Sequence, residues 1–130
     1  MISGKRILIT GGAGFIGSNL AKALAEKNTV FIVDDLSEGF KENLNGIPMA
    51  FFQKDVCDTE FMEKLMGKHR FQIVFHLAAS FANQKSVENP EKDLAVNGFG
   101  TLKLLELAKK FGVEKFVYAS SSCIYGARNE

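Results

Sequence analysis

The chain has 130 residues, 46% of them apolar and 24% charged, with a formal net charge of +1. Those values describe a single ordinary globular domain large enough to bury a core. They give no electrostatic footing for nucleic acid or an anionic membrane surface, and no apolar run approaches the length of a membrane span. The N-terminus lacks the pattern of a secretory leader, so a cytoplasmic protein is expected. Cys57 and Cys123 are isolated, without a C-x-x-C spacing or a histidine pair nearby. They read as reduced thiols, neither a disulfide nor a metal site.

Short apolar runs alternate with helical patterns along the chain. Ile7, Leu8 and Ile9 form a first strand that ends at Thr10, and Gly11, Gly14 and Gly17 follow at the spacing G-x-x-G-x-x-G. A helix is expected over residues 14–27, with Ile16, Leu20 and Leu24 four apart. Residues 30–34 (VFIVD) are a continuous apolar run ending in acid, which fits a strand buried on both faces. The polar stretch 35–46 reads as a loop with one helical turn, and 49–53 as a third strand. Residues 59–66 predict a short helix with Phe61, Leu65 and Met66 on one side, stopped by Gly67. His69 with Arg70 reads as a solvated loop, and 73–77 as a fourth strand ending beside His76, a packed, hydrogen-bonded histidine. Pro90 opens a helix that runs to Phe111 and stops at Gly112, and 115–119 is a fifth strand. The alternation predicts an α/β fold, a three-layer, doubly wound parallel sheet of about five strands in the order 3-2-1-4-5. Residues 1–130 would form one Rossmann-type domain.

In the last helix Lys103, Glu106 and Lys110 form one narrow polar stripe. Leu94, Val96, Phe99, Leu102, Leu104, Leu105 and Leu107 spread over the rest of its circumference. Covering a sheet requires a single apolar face. A second surface therefore packs against something else, a further helix or another subunit.

Strand, glycine turn and helix together are the opening of a dinucleotide-binding unit. Gly11 turns the chain sharply off the strand, Gly14 leaves room for a pyrophosphate, and Gly17 allows the helix to pack close to the strand. The helix N-terminus offers unpaired N–H groups and a partial positive charge. Asp34 lies 23 positions after Gly11, at the end of the second strand, where an acid accepts hydrogen bonds from the ribose 2′-OH of NAD. Asp35 adds a second negative charge with no arginine adjacent, which favours NAD over NADP; it reads equally as the cap of the following turn. Asp55 ends the third strand and is placed to meet the adenine amino group, with Val56 packing on the ring. A plain strand-end turn is the alternative.

The motifs TGGAGFIGS, VDDLS, KDVCD, FHLAA, SVENP, VNGFGT and VYASSSCIYG occur in that order. Together the chain resembles the N-terminal half of the extended short-chain dehydrogenase/reductases, the NAD-dependent epimerase/dehydratase family acting on nucleotide sugars, and most of all its UDP-glucose 4-epimerase-like members. The resemblance implies NAD as cofactor and a nucleotide sugar as partner of the intact enzyme. It implies that Phe15 and Ile16 offer backbone N–H groups to the pyrophosphate. It places Leu36 and Ser120 at the cofactor and has Leu77, Ala78 and Ala79 line its pocket. Asn97 matches an asparagine that helps organise the active site; taken alone, an amide on an apolar helix is more often a satisfied core group. Ser121, four residues before Tyr125, matches the family's catalytic Ser/Thr, which hydrogen-bonds the sugar hydroxyl being oxidised.

The family's chemistry also needs a Tyr-x-x-x-Lys pair, in which the lysine's charge lowers the pKa of the tyrosine base. Here Tyr118 and Tyr125 are followed four residues later by Ser122 and Asn129. The expectation is a cofactor-binding portion, truncated before the last strands and the substrate domain, with no useful turnover of its own. An unpaired fifth strand and the apolar helix favour self-association, and the matching helix of intact relatives contributes to a dimeric bundle, so a homodimer is expected. A 4,6-dehydratase places Asp-Glu directly after the catalytic Thr, where this chain has Ser122 and Cys123. A UDP-glucuronate decarboxylase and a non-catalytic NAD-binding or sensing module remain open.

Overall fold

Ile7, Ile9, Val30, Ile32 and Ile73 face one side of a parallel sheet, and Leu8, Phe31, Val33 and Val74 face the other. Both sides are covered, which explains why the strands read as unbroken apolar runs. The computed structural model of the chain describes residues 2–80 and 87–126, the side chains of Ser122 and Cys123 excepted. Its strands are β1 (Arg6–Thr10), β2 (Thr29–Asp34), β3 (Met49–Gln53), β4 (Ile73–His76) and β5 (Lys115–Tyr118), all parallel. They are ordered β3-β2-β1-β4-β5, as the sequence leads one to expect. One face is covered by α1 (Phe15–Ala25), through Ala21 and Ala25, and by Leu44. The other is covered by α2 (Thr59–His69) and by α3, a continuous helix built of Pro90–Asp93, Leu94–Gly100 and Thr101–Lys110. Among the described residues no helix is long and apolar enough to cross a membrane.

Two details of α2 differ from the sequence reading. Gly67 lies inside the helix and does not end it. A Cβ there would stand 3.3 Å from the ring of Phe111, so the missing side chain makes room for the end of α3. The helix stops at Arg70, whose φ of 51° turns the chain into the left-handed region. The Arg6 guanidinium donates to the carbonyls of His69 and Arg70 and satisfies this terminus from a neighbouring strand. His69 is accordingly no solvated loop, since its ring lies 4.5 Å from that of Phe31.

At the other end of α2 the Asp58 carboxylate accepts from the Phe61 amide at 3.1 Å. Its ion pair with Lys54, 3.6 Å apart and exposed, adds little. Asp58→Ala should cost about 1 kcal/mol in urea unfolding; a loss within error of zero would show that the cap is idle.

In α3, Leu104, Leu107 and Ala108 are buried against the sheet, whereas Leu94, Phe99, Leu102 and Leu105 remain 44–59% exposed. That is the second apolar surface the residue pattern calls for. The regular helix expected here is interrupted, because Leu94–Gly100 forms a wider, π-helical turn. Gly98 and Gly100 lie within it and lower the resistance to leaving α geometry. Gly100 also packs tightly, as a Cβ there would stand 3.3 Å from both the Ala95 carbonyl oxygen and Cys57 Sγ.

Candidate dinucleotide site

β2 and β4 lie on opposite sides of β1, so the chain reverses its direction of travel across the sheet at β1. Open α/β sheets bind ligands in the crevice this reversal leaves at the carboxyl ends of the strands. Gly11 begins the turn there with a φ of +70°, and its amide donates to the Val33 carbonyl at 2.9 Å. A Cβ at Gly17 would overlap the Gly11 carbonyl oxygen and the Gly12 Cα. The close packing expected of Gly17 is therefore onto the turn rather than onto the strand. At Gly14 a Cβ would meet only the Gly11 carbonyl oxygen, at 3.4 Å. The space in front of it is open, as an approaching pyrophosphate requires.

Gly14 caps α1 without any side-chain hydrogen bond, and no acidic residue sits in the first turn. The side chains of Phe15 and Ile16 are exposed, and the first-turn backbone donors carry the positive end of the helix dipole. These residues fit an anionic pyrophosphate.

Asp34 closes the turn from the neighbouring strand. The residue is 7% exposed, and its carboxylate accepts from the Ala13 amide at 2.9 Å and from the Leu36 amide at 2.8 Å. The side chain thus points at the glycine turn. The Ala13 carbonyl is held as well, by the Phe40 amide at 3.2 Å and Asn43 Nδ2 at 2.9 Å. Residues 35–46 are therefore strapped over the turn, and Gly39 lies against Ala13 with no space for a Cβ. The helical turn expected in this stretch is present at Lys41–Leu44, whereas its hold on Ala13 is a contact that the local residue pattern does not signal.

The remaining adenosine-side candidates divide. Asp35 is exposed and accepts from the Ser37 amide and hydroxyl at 2.9 and 2.6 Å, which gives it the turn-capping role. Leu36 follows at a φ of 62° and packs into the core on the α1 side. Asp55 stands exposed beyond β3 and accepts from the Cys57 amide at 2.8 Å. Val56 is 7% exposed and packed in the core cluster with residues of α2 and α3. Cys57 is no reactive thiol, because burial and the neighbouring Asp55 push it up to about 11.

Leu77, Ala78 and Ala79 leave β4 beside the turn. The Leu77 amide donates to the Thr10 carbonyl at 3.1 Å and the Ala78 amide to Thr10 Oγ1 at 3.3 Å. Asn97 does not present a free amide to a ligand. Its Oδ1 accepts from the Ser80 amide at 2.8 Å, while Nδ2 donates to the Ser80 carbonyl at 3.1 Å and to Asp93 at 2.8 Å. It organises the segment after β4, and both the satisfied-amide and the organising readings describe it. Ser120 and Ser121 follow β5 and are exposed, and the Ser121 carbonyl accepts from the Ile124 amide at 3.2 Å. The side chains of Ser122 and Cys123, and Ser86 and Asn129, lie outside the described residues.

His76 is 1% exposed and hydrogen-bonded at both ring nitrogens, to Thr10 at 2.7 Å and Thr101 at 2.9 Å. Burial holds its imidazole far below the ordinary value, at about 4. In the unfolded chain it protonates near 6.5. Between those values the unfolded state binds the extra proton, so stability falls as pH drops through that window, by about 3 kcal/mol when complete. Partial burial beside Lys68 and Arg6 shifts His69 in the same direction. Urea unfolding at pH 7 and pH 4 should show the loss, with His76→Gln removing most of it; equal slopes in the two proteins would contradict the assignment.

A glycine turn at the end of the central strand, an uncapped helix start and an acid reaching over from the next strand make this a dinucleotide-binding α/β domain. The chain belongs to the NAD dependent epimerase/dehydratase family, whose model matches residues 7–130. It is 43% identical over 126 residues to a putative UDP-glucose 4-epimerase of Methanocaldococcus jannaschii, covering 95% of this chain and 40% of that protein. Among solved structures, an epimerase of Methanothermobacter thermautotrophicus is 50% identical with a TM-score of 0.88, over 93% of this chain and 36% of that one. A UDP-glucose 4-epimerase of Thermus thermophilus, solved as a complex with NAD, is 41% identical with a TM-score of 0.78, over 89% of this chain and 37% of that one. The chain thus spans about 40% of the length of the curated relatives it matches.

Proposed function

We propose that residues 1–130 are the NAD-binding portion of a nucleotide-sugar epimerase of the UDP-glucose 4-epimerase type. The observation that carries this reading is the Asp34 carboxylate held on the Ala13 amide, beside an uncapped helix N-terminus. In this reading the first-turn amides of Phe15, Ile16 and Gly17 receive the pyrophosphate. Asp34 keeps lone pairs for the ribose hydroxyls, Asp55 takes the adenine amino group, and Leu36, Leu77, Ala78, Ala79 and Ser120 line the pocket. Ser121 hydrogen-bonds the sugar hydroxyl. Bound there, NAD supplies a nicotinamide that accepts a hydride from a sugar carbon and returns it to the other face. The proton taken with that hydride needs a base, and residues 1–130 contain no Tyr-x-x-x-Lys. These residues alone therefore bind cofactor without turnover. The exposed apolar face of α3 pairs two copies as a homodimer.

Calorimetric titration with NADH and NADPH tests the cofactor site. A 2′-phosphate would approach both Asp34 and the exposed Asp35. Unit charges about 4 Å apart repel by roughly 4 kcal/mol at an effective dielectric of 20, less once screened. NADH is expected to bind at least tenfold tighter, and tighter NADPH binding would refute the assignment. Robust epimerisation of UDP-glucose by the purified chain with NAD would refute the absence of turnover. A second reading is a non-catalytic NAD-binding module. Genomic sequence downstream of Glu130 separates the two: a Tyr-x-x-x-Lys supports the enzyme portion, a stop codon the module.

A further inference from the structure

The hydrogen bonds around His76 close a ring that the cofactor reading leaves unused. Thr10 Oγ1 receives the Ala78 amide at 3.3 Å and lies 2.7 Å from His76 Nδ1. His76 Nε2 lies 2.9 Å from Thr101 Oγ1, on α3. One helical turn earlier, Asn97 holds Ser80 through both its amide and its carbonyl. Ser80 follows Ala78 by two residues, so the ring returns to its start. Residues 77–80 are pinned at both ends, at Ala78 by Thr10 and at Ser80 by Asn97, and His76 ties the first pin to the helix that carries the second.

A backbone amide only donates, so the Thr10 hydroxyl accepts from Ala78 and keeps its own proton and a second lone pair. The distances suit a ring that takes that proton at Nδ1 and carries its own on Nε2, directed at Thr101. The ring lies beside Phe116 and Tyr118 of β5, with centroids 6.0 and 5.9 Å away, and at 1% exposure it has no water to replace either partner. No buried side-chain polar atom among the described residues is left without a partner.

We propose that His76 is a positioning residue for the cofactor, a neutral ring carrying its proton on Nε2 that fixes residues 77–80 as the pocket wall by tying Thr10 to Thr101. It rests on the NAD reading above. A rigid ring with a nitrogen on each side spans the two threonines, accepting from one and donating to the other. Asparagine can replace only the Nδ1 end, and glutamine only the Nε2 end.

The test is NADH titration of the full chain and of four variants, with melting temperatures and 15N NMR of the imidazole. His76→Phe keeps the ring and removes both bonds, and should weaken NADH binding at least tenfold. Thr101→Val cuts only the helix end and should weaken it three- to tenfold, with a melting temperature within a few degrees of wild type. His76→Asn and His76→Gln should each recover part of the loss. The wild-type ring should show the Nε2–H tautomer and no titration between pH 5.5 and 8.5. Should His76→Phe not fold, Thr101→Val decides. A natively folded Thr101→Val binding NADH within twofold of wild type, or a proton found on Nδ1, overturns the proposal while the NAD reading stands. A wild-type chain that fails to bind NADH overturns the NAD reading and this one with it.

Discussion

Gly11→Ala is expected to abolish measurable NADH binding and to lower the stability of the chain by about 3 kcal/mol. Two costs add. The residue sits at a φ of +70°, where a Cβ costs roughly 1–2 kcal/mol. The new atom would also stand 2.6 Å from the Ala78 nitrogen and 2.8 Å from the Leu77 carbonyl carbon. Both are backbone atoms, so either the turn or the pocket wall must shift, an overpacking cost of about 1–3 kcal/mol. Gly46→Ala is the control, because Gly46 has a φ of +77° but nothing within 4 Å of a Cβ. It should lose only the conformational part and leave binding intact. If the two variants behave alike in urea unfolding and in NADH titration, the close approach at Gly11 has no consequence.

Asp34→Ala is expected to weaken NADH binding more than a hundredfold and to cost about 3–6 kcal/mol. The carboxylate accepts two backbone amides, and hydrogen bonds to a charged group contribute about 1.5–3 kcal/mol each. The Ala13 residue is fully buried, so its amide would be left without an acceptor. Asp34→Asn keeps the shape and offers one oxygen in place of two. It should fall between wild type and alanine in stability, and it should narrow the preference for NADH over NADPH by removing a charge. An alanine variant with wild-type affinity would remove Asp34 from the site.

The features legible in the residues were those with a local cause. The apolar runs of β1, β2 and β4 mark strands because these are buried on both faces, and the glycine spacing with an acid at position 34 located the crevice because both are fixed by adjacent chain. What escaped depends on contacts made across the sheet. Gly67 looked like a helix stop because glycine usually is one, yet its role is to clear Phe111, 44 positions away. His69 looked solvated because nothing nearby in the chain hints that it lies on Phe31. The π-helical turn has no periodicity that distinguishes it from an α-helix over seven residues. The Thr10–His76–Thr101 chain joins three elements whose adjacency only the strand order reveals.

The backbone of Ala13 is clamped at its amide by Asp34 and at its carbonyl by Phe40 and Asn43, 21 to 30 residues further along. The anion cradle is therefore not a property of the glycine-rich octapeptide. Transplanting TGGAGFIG onto another protein's strand and helix would carry over the letters without the shape, unless the second strand and the connection after it travelled with them.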